Sequence, residues 1–414
     1  MKRRATRLIH PQPQQGGSVP TDSQPYPTSF EAAGLPHLGA VKIPLFASST
    51  YVFQNAQAGA DTFAGQQGRP MEGDPAPFNY SRLGHPNLVH VEAQLLALDG
   101  RTQGEDEAVA FESGMAAITT TLLALLRPGA LLVCTAPLYG GTRQFIRDFL
   151  EPWGVRTVSL EPDGKLADLV ASCRGLVPDL LYAETPANPT NLVWDWSVLR
   201  ELKAAFKSDK AVPPLLVDNT YLGPCWQHPL EEGADLVLYS ATKSMSGHSD
   251  LVAGACVGDR HLIKKIRSLR NKLGNTASPF TSWLLSRSLE TVNLRMQACQ
   301  INAQILVRRL EAHPAVANIS YPGAGGMIAV YLAGPPDHHK AWTFLNHLRI
   351  FAQAVSLGSN ESLACHPAST THSGITPEER SRHGILPQLV RLSVGIEDPD
   401  DLWEDLLQAL DLVL

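Results

Sequence analysis

The feature that most constrains this chain is an alternation. Short apolar runs recur at 108–111, 129–135, 155–160, 180–183, 213–218, 234–239 and 251–257, with stretches of helical character between most of them. Runs this short, spaced roughly 20–30 residues apart with helices between, predict a mostly parallel sheet covered on both faces. Sheets of that kind keep their chemistry in the loops beyond the carboxyl ends of the strands. Those loops are therefore where functional residues are sought.

The run Ala234-Asp-Leu-Val-Leu-Tyr239 leads into Ser240-Ala-Thr242-Lys243-Ser-Met-Ser-Gly247-His-Ser-Asp250. Most loop lysines are surface cations. Lys243, however, follows a buried strand and has the hydroxyls of Ser240 and Thr242 close by, which suit a phosphate. A buried lysine with a lowered pKa forms a Schiff base with an aldehyde. One run earlier, Pro213-Pro-Leu-Leu-Val217 ends in Asp218. Alone, Asp218 reads as a turn residue. If the two strands are parallel neighbours, it opens at the same sheet edge as Lys243. A Schiff-base lysine with an acid facing a pyridinium nitrogen is the arrangement that pyridoxal phosphate (PLP) requires.

Four further positions stand out, each with two readings. Arg82, in Tyr80-Ser-Arg82 before an amphipathic stretch at 87–98, is either a solvated charge or a phosphate ligand. Ser113-Gly114-Met115 opens a helix and presents free backbone N–H groups, an anion site that many helix starts leave unused. Tyr139, in a Gly-rich loop after 129–135, either stacks on a planar ring or packs. Arg391 interrupts Leu389-Val-Arg-Leu-Ser-Val394. It is a clamp for a substrate carboxylate, a structural ion pair or an outward-facing charge.

Composition narrows the classes. A 44% apolar and 18% charged chain of 414 residues is globular in balance and long enough for two or three cores. The net charge of −6 gives no reason to expect nucleic acid or an anionic membrane as a partner, and no apolar run is long enough to span a bilayer. The N-terminus is basic but lacks the apolar stretch of a signal peptide. The cysteines are scattered, which points to reduced thiols in a cytoplasmic protein and to no metal site. We divide the chain into an N-terminal arm for inter-subunit contacts (1–70), a large domain (71–275) and a C-terminal domain (276–414). Residues 1 to about 50 read as an extended arm, 56–78 as a loop, and 327–332, 351–357 and 389–395 as strands. Helices are expected from Ser278 on towards Ala312, over 340–350 and over 400–414.

Taken together, Tyr80-Ser-Arg82, Ser113-Gly114-Met115, Tyr139-Gly-Gly-Thr142, Glu184-Thr-Pro-Ala-Asn188-Pro189, Val217-Asp218-Asn-Thr220, Ser240-Ala-Thr242-Lys243, Ser356-Leu-Gly358 and Arg391-Leu-Ser-Val-Gly395 resemble the motifs of the Cys/Met-metabolism (transsulfuration) PLP enzymes, in the family's order, from about residue 40 to 414. The resemblance implies the PLP-dependent transferase fold type I, an α/β fold with a mostly parallel sheet in a large domain and a smaller C-terminal α/β domain. It implies that Lys243 holds PLP and moves protons. Asp218 would keep the ring nitrogen protonated, Tyr139 would stack on the ring, and Asn188 would face the ring hydroxyl. Gly114, Met115, Ser240 and Thr242 would bind the phosphate, joined by Tyr80 and Arg82 from a neighbouring subunit. A dimer would then be the minimal unit and a tetramer the usual assembly. Ser356 and Arg391 would hold the substrate carboxylate. The implied activity is γ-elimination from a sulfur amino acid, as in methionine γ-lyase, giving 2-oxobutanoate, ammonia and a thiol. The alternative is γ-replacement on O-acetyl- or O-succinylhomoserine. Two glutamates that go with cystathionine in the family are replaced here by Asn79 and Val355, which favours methionine. Gly141 stands where methionine γ-lyases carry Cys, which favours the alternative.

Overall fold

The computed structural model describes residue 8 and residues 40–66, 78–101, 106–207 and 212–414. Most of the expected N-terminal arm lies outside them. The alternating runs form a seven-stranded sheet: β1 (Asp106–Phe111), β2 (Leu131–Thr135), β3 (Arg156–Leu160), β4 (Leu180–Glu184), β5 (Leu215–Asp218), β6 (Leu236–Tyr239) and β7 (Gly254–Asp259). Their order is β1-β7-β6-β5-β4-β2-β3, and β7 alone runs against its neighbours. Strands β1, β2, β4, β5 and β6 are buried along their whole length, as a sheet covered on both faces requires. Two apolar clusters fill the layers. Val133, Leu181, Val217 and Val237 face one, while Leu132, Leu180, Leu216 and Leu236 face the other. That alternation is the two-residue period of a strand made visible.

The second sheet has the order β10-β11-β12-β9-β8, with β8 (Val316–Ser320), β9 (Met327–Leu332), β10 (Ala352–Gln353), β11 (Leu363–Cys365) and β12 (Leu389–Ser393). Only the β10–β11 pair is parallel, so this smaller α/β unit is built mainly on antiparallel pairing. Its core of Ile328, Val330, Val390, Leu392, Leu402 and Leu406 packs the sheet against the C-terminal helix Pro399–Leu410. No helix among the described residues is long and apolar enough to cross a membrane.

Several expected elements change. Residues 56–66, expected as loop, form the helix Ala56–Gln66, because Asn55 Oδ1 accepts the Ala58 N–H and four alanines outweigh two glycines. The long helix expected after Ser278 is two, Pro279–Leu289 and Val292–Glu311. The break falls where the Ser288 carbonyl accepts from the Arg295 guanidinium at 2.9 Å. The strand expected at 351–357 stops at Gln353, since Ser356 adopts φ +107°, outside strand geometry. The run at 251–257 becomes strand only from Gly254, because the Ala253 backbone is engaged by the Thr242 hydroxyl.

Candidate active site

The parallel strands β2, β4, β5 and β6 deliver their carboxyl ends to one edge, and a cavity of about 310 Å³ opens there. Its walls include Gly114, Met115, Tyr139, Asn188, Asp218, Ser240, Thr242, Lys243, Ser356 and Arg391. Ten of the twelve sequence-predicted residues thus meet in one place. Tyr80 and Arg82 do not. Both are exposed, and Arg82 Nη1 donates to the Asn271 carbonyl at 2.5 Å.

Lys243 projects from the turn after β6. Its Nζ donates to Ser356 Oγ at 2.8 Å. Burial, helped by the nearby Arg391 charge, brings its ammonium down to about 8. Ser356 comes from the other sheet, and its φ of +107° aims the hydroxyl at Lys243. The two loops touch so closely that a Cβ on Gly358 would stand 2.7 Å from the Ser244 nitrogen.

Asp218 ends β5, and is 5% exposed. It accepts from the Thr220 N–H at 3.0 Å and the Tyr182 hydroxyl at 3.2 Å. Burial raises its pKa, so it calls for a cation. Arg391, in β12, is 2% exposed and forms no ion pair with any described residue. Its Nη1 donates to Asn188 Oδ1 at 2.9 Å and its Nη2 to the Ser356 carbonyl at 2.6 Å, while Nε is buried without a partner. A buried guanidinium with only neutral acceptors is matched to an anion that arrives from outside. Of the three sequence readings of Arg391, this burial removes the outward-facing charge and the structural ion pair.

At the other end, Ser113 caps the helix Gly114–Leu125 by accepting the Ala116 N–H at 3.0 Å. The first N–H groups of that helix have no intrahelical partner and begin at the cavity wall. A Cβ on Gly114 would stand 2.7 Å from Ser240 Cβ and Oγ, so the helix start and the Lys243 loop form a cradle only glycine permits. The Thr242 hydroxyl, expected on a phosphate, bonds both backbone groups of Ala253 instead. It locks the loop to the lead of β7.

Gly141 lies under the Tyr139 ring, where a Cβ would meet a ring carbon at 2.7 Å and Met115 Sδ at 2.9 Å. A larger residue there moves the ring. Sequence reading quoted Glu184 within a motif but gave it no role. It ends β4 in register with Asp218 and lines the cavity. The rule that singled out Asp218, an acid closing an apolar run, applies equally to Glu184 and would have found it.

A family model described as Cys/Met metabolism PLP-dependent enzyme matches residues 31–411. An L-methionine gamma-lyase of Pseudomonas putida is 41% identical across 90% of this chain and 93% of its own. A cystathionine gamma-lyase of Bacillus subtilis is 35% identical across 90% and 95%. Among solved structures, a cystathionine gamma synthase from Xanthomonas oryzae pv. oryzae superposes with a TM-score of 0.81 at 31% identity, covering all of both chains. The residues present fit the cofactor that this family carries. They offer a cradle for a phosphate at Gly114 and Ser240, a buried acid for a ring nitrogen at Asp218, an amine of lowered pKa at Lys243 and an unpaired guanidinium for a carboxylate at Arg391.

Proposed function

We propose that this chain, which belongs to the Cys/Met metabolism PLP-dependent enzymes, catalyses γ-elimination on an uncharged sulfur amino acid of the methionine type. The products would be 2-oxobutanoate, ammonia and a thiol. The observation that carries this reading is the cavity mouth. Val252 and Val355 are 59% and 55% exposed there, beside Leu357 and Thr371. The acids among the lining residues, Glu184 and Asp218, are buried at the strand ends. A substrate with a distal ammonium, such as cystathionine, finds no acidic partner at this mouth. An alkyl thioether meets apolar surface.

PLP, when bound, supplies an electron-accepting ring and an aldehyde. In this reading the chain's own residues do the rest. Arg391 and Ser356 fix the substrate carboxylate, which completes the guanidinium's bonding and orients the Cα–H bond towards Lys243. Lys243 Nζ, neutral in part near pH 8, accepts that proton. Asp218 carries the negative charge that faces the ring nitrogen. Tyr139, 40% exposed over Gly141, closes the outer wall and excludes water.

A second reading, γ-replacement on an activated homoserine ester, is supported by Gly141 and by the fold's likeness to cystathionine gamma synthases. A homodimer is the minimal unit in either case, and a tetramer the full assembly. Val41 and Val52, each 93% exposed, lie on the same side segment as the exposed Tyr80, to which Thr50 is bridged. Six free cysteines support a cytoplasmic setting. The test is 2-oxobutanoate release from L-methionine, with Lys243→Ala as control. Lys243-dependent release is the expected result. No release from cofactor-loaded protein, with product formed only when a nucleophile and an acylhomoserine are added, overturns elimination in favour of replacement.

A further inference from the structure

Glu184 is 4% exposed and forms no ion pair with any described residue, yet it sits beside a second buried acid. Strands β4 and β5 pair Glu184 directly with Asp218. Its two oxygens are spent on two different walls of the cavity. Oε2 accepts the Tyr139 N–H at 2.5 Å, and Oε1 accepts the Asn188 N–H at 3.2 Å. Tyr139 forms the outer wall. Asn188 passes the connection on, since its Oδ1 accepts from Arg391, whose other nitrogen bonds the Ser356 carbonyl, and Ser356 Oγ in turn accepts from Lys243. One carboxyl group therefore tethers the ring-facing tyrosine on one side and the carboxylate-binding arginine on the other.

We propose that Glu184 is a positioning residue for the reaction, setting the placement of Tyr139 and, through Asn188, of Arg391 in a single bridge. The bridge needs a carboxyl group. An amide of the same size offers one accepting oxygen, and its NH2 group would face an N–H donor, so one tether is lost. Burial next to Asp218 also raises the Glu184 carboxyl to about 8. The groups facing it are Asp218 and Tyr182 from the sheet, Tyr139 from the β2 loop and Tyr221 and Arg391 beyond. With the cofactor's ring nitrogen protonated against Asp218, Glu184 can hold its place without a cation of its own. The inference rests on the cofactor reading and not on the choice of substrate.

The test compares Glu184→Gln and Glu184→Asp in the PLP-loaded enzyme. The readouts are visible circular dichroism of the bound cofactor, cofactor dissociation constant, and kcat and KM per loaded site on whichever amino acid proves active. Glu184→Gln is expected to change the visible dichroism, lower kcat about 30-fold or more and raise KM about tenfold, while still binding PLP. Glu184→Asp, which keeps both oxygens, should recover part of each. Unchanged dichroism with kcat and KM within twofold overturns the proposal. So does an equal loss in both variants confined to thermal stability. If neither variant folds, hydrogen exchange in the wild-type holoenzyme decides. Slow exchange of the Tyr139 and Asn188 amides supports the bridge, and exchange at the rate of an unprotected loop overturns it. These readouts survive failure of the methionine reading, because dichroism, affinity and exchange need no substrate.

Discussion

Gly114→Ala tests whether the cradle at the helix start is as tight as its geometry requires. An added Cβ would lie 2.7 Å from both Cβ and Oγ of Ser240 and 3.0 Å from Ser240 Cα. Ordinary carbon contacts are about 3.5–4.0 Å, so the helix start and the Lys243 loop must part by roughly 0.8 Å or more. Ser240 cannot swing away freely, because its N–H is held by Thr220 Oγ1 at 2.8 Å. Overpacking of this kind costs about 1–3 kcal/mol. Without cofactor the two segments can relax apart. A phosphate bound between them would hold them together, so the strain falls on the loaded state. At about 1.4 kcal/mol per tenfold, PLP affinity should drop roughly 5- to 150-fold, with little change in the melting temperature of the apoprotein. Absorbance titration of apoenzyme with PLP measures the first quantity and calorimetry the second. In a Ser240→Gly background the same Gly114→Ala change should cost much less, because the colliding atoms are gone. PLP affinity of Gly114→Ala within twofold of wild type, or an equal penalty in both backgrounds, would refute the argument.

Other outcomes follow from the same geometry. Only the neutral amine attacks an aldehyde, and burial first, then the Arg391 charge, holds the Lys243 ammonium below its usual value at about 8. The rate of PLP capture by apoenzyme should therefore rise as pH climbs from 6 to 8 and level off above about 9, as followed by stopped-flow absorbance; a rate still climbing at pH 10 would contradict the depressed pKa. Arg391→Lys keeps the charge but loses the planar fork that bonds Asn188 and Ser356, and should lower kcat/KM about 30- to 150-fold, mostly through KM, on the scale of 2–3 kcal/mol for a charge-assisted pair. Equal KM values would show that the substrate carboxylate binds elsewhere. Gly247 has φ +68°, and a Cβ there would collide with the Arg295 guanidinium, which bonds the Ser244 and Met245 carbonyls behind Lys243. Gly247→Ala should lower the melting temperature by several degrees through overpacking of about 1–3 kcal/mol; an unchanged melting curve would refute it.

The sequence by itself determined the large sheet and most of the cavity's membership. Apolar runs that end in polar or glycine turns can only be buried strands with loops at one edge, so Asp218, Lys243, Tyr139 and Ser113-Gly114 were legible as edge residues before any coordinates. Helix capping was less legible. Asn55 converts an expected loop into the helix Ala56–Gln66 through one hydrogen bond that composition does not reveal. What only the tertiary structure decided is how residues far apart in sequence share a charge problem. Arg391 read equally well as solvent-facing or as a clamp, because a strand's period says which face a residue takes but not what covers that face. Packing of the second sheet on the first buries it beside Asn188 and Ser356. Glu184 went unassigned for the same reason. Its role depends on lying in register with Asp218 and within reach of the Tyr139 amide, 45 residues away in the chain. Local propensity is written in neighbouring residues, whereas desolvation and long-range hydrogen bonding exist only once the layers have closed.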